Sequence, residues 1–202
     1  MGSDSRSGSG RVARRYIGPL GIARLGTVAP RDWFLYADGY QRAAEMLVAS
    51  ISTTYELNTV VFPVIYLYRH YLELTLKEII GYCRYLDSES YPITGTHDLK
   101  RLWTESQSLL KRHVPDLPAA ELDTIATHVN TLAALDPTSE ASRYPLVKGG
   151  GASFDGEPDS LDLDELAVQM KELAELLHAV TSTLAVYQDY ESEMRSYYDD
   201  AY

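Results

Sequence analysis

The chain has one cysteine, Cys83. Neither a disulfide framework within the chain nor a cysteine-based zinc site can be built from it. Two tryptophans, three phenylalanines and four methionines are few for a chain of this size. Its 16 tyrosines are read first as packing residues, each with apolar area and a polar tip. No apolar run approaches the roughly 18 residues of a membrane span, so no membrane partner is expected. Arginines near the N-terminus have no apolar segment behind them, so no secretory signal is read there. A soluble, cytoplasmic protein is the expectation. There is no GxxxxGK followed by Ser or Thr, no GxGxxG after a strand, no GxSxG and no HExxH. Phosphate-loop, dinucleotide, hydrolase and zincin chemistries therefore drop out on motif grounds. His113, His128 and His178 fall on separate predicted helices without ligand spacing between them, and no metal or cofactor is called for.

What is present suits one folded domain. The 202 residues are 45% hydrophobic, enough for a sizeable core. They carry 29 acidic against 18 basic side chains, for a net charge of −11. The charge is unevenly spread. Residues 1–31 hold six arginines and one aspartate; residues 155–202 hold thirteen acidic and two basic groups. The C-terminal quarter alone equals the whole net charge, and a face that acidic repels phosphate. The basic arm, through Arg11, Arg14 and Arg15, is suited to phosphate or an acidic partner. Its Ser/Gly-rich start and its Gly18, Pro19, Gly21 and Gly26 carry no helical or strand period, so residues 1–29 are expected to be a disordered arm.

Residues 30–198 are expected to form a single helical-bundle domain. A first helix opens near Pro30–Asp32, with Asp32 as N-cap and Trp33, Tyr36, Tyr40, Ala44, Leu47, Val48 and Ile51 at helical spacing. A second runs from Thr59 or Pro63 to Leu86, with Pro63 placed in its first turn. Thr96 is expected to cap a third, His97 to His113, with Asp98 in its first turn. Pro118 opens a fourth, reaching Leu135. Residues 136–160, rich in Gly and Pro, form a long connector of the kind that is functional or mobile. A last helix begins near Ser160–Asp162 and reaches Tyr198. Its Leu163, Leu166, Met170, Leu173, Leu177, Val180, Leu184 and Tyr187 step by alternating threes and fours, a heptad seam that Glu191 breaks and Met194 resumes. No segment alternates with period two. The fold class read from this is all-α, a bundle of about five helices.

The second helix carries the chemistry. Projected along the helix, Tyr66, Arg69, His70, Glu73 and Lys77 fall within an arc of about 100°, and Leu, Ile, Val and Tyr cover nearly all the rest. Such a helix belongs at the centre, and an ionisable stripe on it must find partners, because unpaired buried charge is costly. Arg69 and Glu73, and Glu73 and Lys77, are spaced to pair along the helix. Two readings stay open. The stripe is a structural ion-pair ladder, or it faces a cleft or dimer interface. In a cleft, Arg69 would hold a phosphate or oxyanion, His70 would move protons near neutral pH, and Glu73 would orient one of them. His97 and Asp98 would bring an imidazole and a carboxylate near the stripe. Arg143 and Tyr144, in the connector, would fold over it. Tyr187, Tyr190, Tyr197, Tyr198 and Tyr202, near the acidic end, are read as packing residues or as a partner surface.

The run Tyr66-Leu-Tyr-Arg69-His70-Tyr-Leu-Glu73-Leu-Thr-Leu-Lys77-Glu-Ile-Ile, followed by Thr96-His97-Asp98-Leu99, Leu102-Trp103 and later Arg143-Tyr144-Pro145, resembles bacterial proteins of the HEPN type. The likeness spans residues 33–190 as a helix pattern, and its specific residues lie in those three stretches. It implies an all-α bundle, a homodimer, and a setting in toxin–antitoxin, phage-defence or RNA-processing systems. Catalytic members of that superfamily are metal-independent endoribonucleases with an arginine four to six residues before a histidine, in a site that two subunits often share. No histidine here has an arginine at that distance. Three classes of function follow: an RNA-cleaving enzyme built on Arg69, His70 and Glu73; a non-catalytic module that binds a protein partner; and a sensor of small anionic ligands covered by the connector.

Overall fold

The computed structural model describes residues 33–89, 95–146, 148–154 and 159–199. These belong to one unit, Arg31–Tyr202. The expected N-terminal arm, Asp32 as a cap, and Tyr202 lie outside the described residues. The architecture is all-α, five helices in chain order: α1 (Trp33–Ser50), α2 (Thr54–Leu86), α3 (Leu99–His113), α4 (Ala119–Leu135) and α5 (Leu163–Asp199). Among the described residues there is no strand beyond an isolated bridge between Leu146 and Ala152. No described helix is long and apolar enough to cross a membrane.

Local chemistry sets where the helices begin. α2 starts five residues before Thr59 because Thr53 and Glu56 form a capping box. The Thr53 hydroxyl accepts from the Glu56 N–H at 3.1 Å, and the Glu56 carboxylate accepts from the Thr53 N–H at 3.1 Å. Pro63 consequently sits inside the helix instead of in its first turn. α3 is capped by Asp98, whose carboxylate accepts from the N–H groups of Lys100 at 2.9 Å and Arg101 at 3.2 Å. The expected cap, Thr96, lies two residues further out and accepts from the Asp98 N–H. Pro118 stands at the N-cap of α4, and Asp162 accepts from the Glu165 N–H at the start of α5.

α2 is the axis of the bundle and packs against all four other helices. Val64, Leu72, Leu76, Ile79 and Cys83 are fully buried along it. Against them lie Leu102 and Leu110 of α3, Ile125, Val129 and Leu132 of α4, and the α5 seam. Each fully buried Leu or Ile contributes about 1.5–3 kcal/mol relative to leaving it in water. The seam is buried from Leu163 to Leu184, and Tyr187 is exposed. Beyond that, α5 is held to the end of α2 by Arg195, which donates to Ser88 Oγ at 2.9 Å and to the Tyr85 carbonyl at 3.3 Å and lies over the Tyr85 ring.

The connector after α4 is built around a buried carboxylate. Asp136 is fully buried and accepts from the N–H groups of Ala141 at 3.1 Å and Ser142 at 3.2 Å, and from the Ser142 hydroxyl. Further on, Gly149 and Gly150 take φ of 116° and 92°, a left-handed turn that suits glycine and lets Leu146 and Ala152 meet.

Candidate functional site

The polar stripe of α2 points at the place where α3 begins and α4 ends. Arg69 is fully buried there. Its Nε donates to the Asp136 carbonyl at 2.8 Å, Nη2 to the His97 carbonyl at 2.7 Å, and Nη1 to Glu73 Oε2 at 3.3 Å. One guanidinium thus ties three segments together: its own helix, the residue before the α3 cap, and the first residue of the connector. The planar fork of Arg suits that task, and a lysine could not reach all three acceptors.

Glu73 is equally buried and sits one turn on. Its Oε1 accepts from Lys77 Nζ at 2.8 Å and faces His97 Nδ1, also at 2.8 Å. Burial pushes the Glu73 carboxyl pKa up, but the bonds and charges of Lys77 and His97 outweigh it and hold it below the ordinary value. An ionised carboxylate only accepts, so the proton on the facing imidazole belongs on Nδ1. The other nitrogen, Nε2, has no hydrogen-bond partner among the described residues, and the His97 side chain is 68% exposed. The pair is therefore a carboxylate on the inside that fixes the tautomer and tilt of an imidazole on the outside.

His70 lies beside this pair in an aromatic sandwich. Its ring stacks on Tyr66 (centroids 5.6 Å apart, planes 9° apart) and meets the edge of Tyr40 at 4.3 Å. Burial lowers its pKa; Glu73 pulls it up, while Lys77, Arg69 and His97 push it further down. The net direction is down, so His70 is neutral at pH 7. The Arg143 guanidinium lies 5.8 Å from the Tyr66 ring centroid and 5.5 Å from that of Tyr144. Arg143 Nε donates to the Ser139 carbonyl. Arg143 and Tyr144 are exposed.

Tyr66, Arg69, His70, Glu73, Lys77, His97 and Arg143 are thus brought together, but in two layers. Arg69, Glu73 and Lys77 are sealed and paired inside. His97, His70, Tyr66 and Arg143 form the outer layer. Asp98 is adjacent in sequence, yet its carboxylate is engaged in capping α3. Two contributors were not singled out in the sequence: Asp136 and Tyr40. Asp136 had a readable signal, since an Asp at a helix end ahead of Pro137 is a turn former. Tyr40 had none, because helical periodicity marks it as an ordinary packing residue. In comparisons with known proteins, no family model, no curated protein and no solved structure matches the chain.

Proposed function

We propose that the protein acts on RNA as a HEPN-like, metal-independent endoribonuclease in a defence or toxin–antitoxin setting. The observation that carries this reading is the exposed His97 imidazole held by the buried Glu73 carboxylate at 2.8 Å. A proton acceptor at the surface, oriented by a carboxylate behind it, is the arrangement that general-base chemistry needs. His97 Nε2 takes the proton from a ribose 2′-hydroxyl. The 2′-oxygen attacks the adjacent phosphorus and the P–O5′ bond breaks. The proton returns from the imidazolium to the departing 5′-oxygen. The products are a 2′,3′-cyclic phosphate and a 5′-hydroxyl, with neither water nor metal consumed. Arg143, the exposed arginine of the cluster, binds the phosphate and its developing charge. Arg69, Glu73 and Lys77 act as positioning residues behind His97, and neutral His70 backs the outer layer. The resemblance of the three sequence stretches to HEPN proteins supports the RNA assignment.

The test is incubation of the purified protein with transfer RNA or total RNA in excess chelator, with the new ends identified. Cleavage leaving 2′,3′-cyclic phosphates is expected, and His97→Ala should slow it about 100-fold or more. Intact RNA after prolonged incubation with the wild-type chain would remove the enzymatic reading.

One observation favours the second reading, a module that binds a protein partner or a second copy of itself. Past the buried seam, α5 leaves Val186, Tyr187 and Tyr190 exposed on one stretch. A homodimer built there should be visible by light scattering and dissolve in Tyr190→Lys. A monomer at all concentrations would count against it.

A further inference from the structure

Next to the outer layer, α2 and the connector line an open pocket of about 400 Å³. We infer that it is a nucleobase pocket, which receives one unpaired base of the RNA and makes the protein select single strands. The inference rests on the RNA reading but not on cleavage.

The walls supply the chemistry of base recognition. Phe62 from α2 and Phe154 from the connector face each other with ring centroids 5.6 Å apart and planes tilted by 43°. Both rings stay substantially exposed, at 43% and 40%. Two phenyl rings kept at the surface around a concavity offer flat apolar faces, on which any base can stack. Arg143 and Tyr144 form the adjoining wall. The Arg143 guanidinium lies over the Tyr66 and Tyr144 rings, and among the described residues only its Nε is hydrogen-bonded, to the Ser139 carbonyl. It is placed to meet the phosphate of the nucleotide whose base enters.

The pocket is held in shape by its own hydrogen bonds. The Ser153 N–H donates to the Pro145 carbonyl at 3.0 Å, and the Ser153 hydroxyl donates to the Tyr144 carbonyl. With the Leu146–Ala152 bridge, these fix Phe154 opposite Phe62. Arg143 lines the pocket and lies over Tyr66, and Tyr66 stacks on His70 in the outer layer. A base paired in a duplex has no free face to insert, so the geometry favours unpaired RNA.

The experiment uses a short 2′-O-methyl oligoribonucleotide carrying a central 2-aminopurine, which cannot be cleaved through its 2′-oxygen. Binding to the full chain should quench the 2-aminopurine. Phe62→Ala and Phe154→Ala should each weaken binding about tenfold, Phe154→Tyr should restore it, and the duplexed probe should bind at least about tenfold more weakly. Both phenylalanines are exposed enough that circular dichroism should show the variants folded. Equal affinity for single strand and duplex, an unquenched probe, or wild-type affinity in both alanine variants would overturn the pocket, as would no binding at all. The two proposals fail separately. Quenched, Phe-dependent binding by a chain that leaves RNA intact keeps the pocket and removes the nuclease. Wild-type cleavage by both Phe variants with unaltered probe binding keeps the nuclease and removes the pocket.

Discussion

Arg69 has five N–H donors and no acceptor, and inside the bundle they reach Asp136, His97 and Glu73. Arg69→Ala would leave two carbonyls and part of a buried carboxylate without a donor. It should cost about 3–5 kcal/mol in urea unfolding, the range for breaking a buried pair from one side. Two buried or half-buried groups also set the pH response. His70 and Glu73 both titrate below their ordinary values in the folded chain, His70 because burial disfavours its charge and Glu73 because Lys77 and His97 favour its charge over the opposing effect of burial. In each case the unfolded chain takes the proton first as pH falls. The stabilisation is present above the unfolded pKa, about 6.5 for His and about 4.3 for Glu, and is lost as pH falls through the folded value. NMR titration should find His70 taking up its proton at lower pH than an ordinary histidine, and the acid limb of the urea midpoint should flatten in Glu73→Gln. A His70 that titrates at or above 6.5 would contradict this. The stripe itself was legible from spacing, because periodicity tells which residues share a face. Whether that face meets solvent or chain was not legible, because the answer lies in where α3 starts and α4 ends. For Arg69 it put a residue read as a phosphate ligand at full burial.

The elements are set by caps as much as by apolar periods. Asp98 holds the first turn of α3 while its neighbour His97 is held by Arg69 and Glu73. Asp98→Ala should cost about 1 kcal/mol in thermal melts, as cap losses do. It should also lower RNA cleavage by more than that loss of folded protein explains, because His97 precedes the freed turn. Unchanged cleavage at a temperature where the variant is folded would separate the cap from the site. Thr96 and Asp98 are both cap-forming types two residues apart, and the apolar pattern of α3 does not choose between them. The α2 start is different: Thr53 and Glu56 spell a capping box, which outweighs the preference of Pro63 for a first turn. The α5 seam was legible to the residue up to Leu184. Its change from buried to exposed at Tyr187 was not, since a heptad pattern continues whether or not a partner helix does.

For the whole molecule, the charge asymmetry matters more than its total. The acidic α5 is unsuited to phosphate, and the candidate RNA surface lies instead where α2, the α3 start and the connector meet. Stacking on Phe62 and Phe154 adds affinity that phosphate contacts do not supply, so part of the RNA binding should survive added salt. At this scale, composition and period were enough for an all-α bundle. They were silent on the layering that separates a sealed brace from an exposed imidazole. In the proposed reaction that separation gives proton transfer to His97 and support to Arg69 and Glu73, and chemical rescue tests it most directly. RNA cleavage in chelator is measured for the wild-type chain and for His97→Ala, without and with added imidazole. Loss of cleavage in His97→Ala and its partial return with imidazole is the expected result; undiminished cleavage in His97→Ala would contradict it.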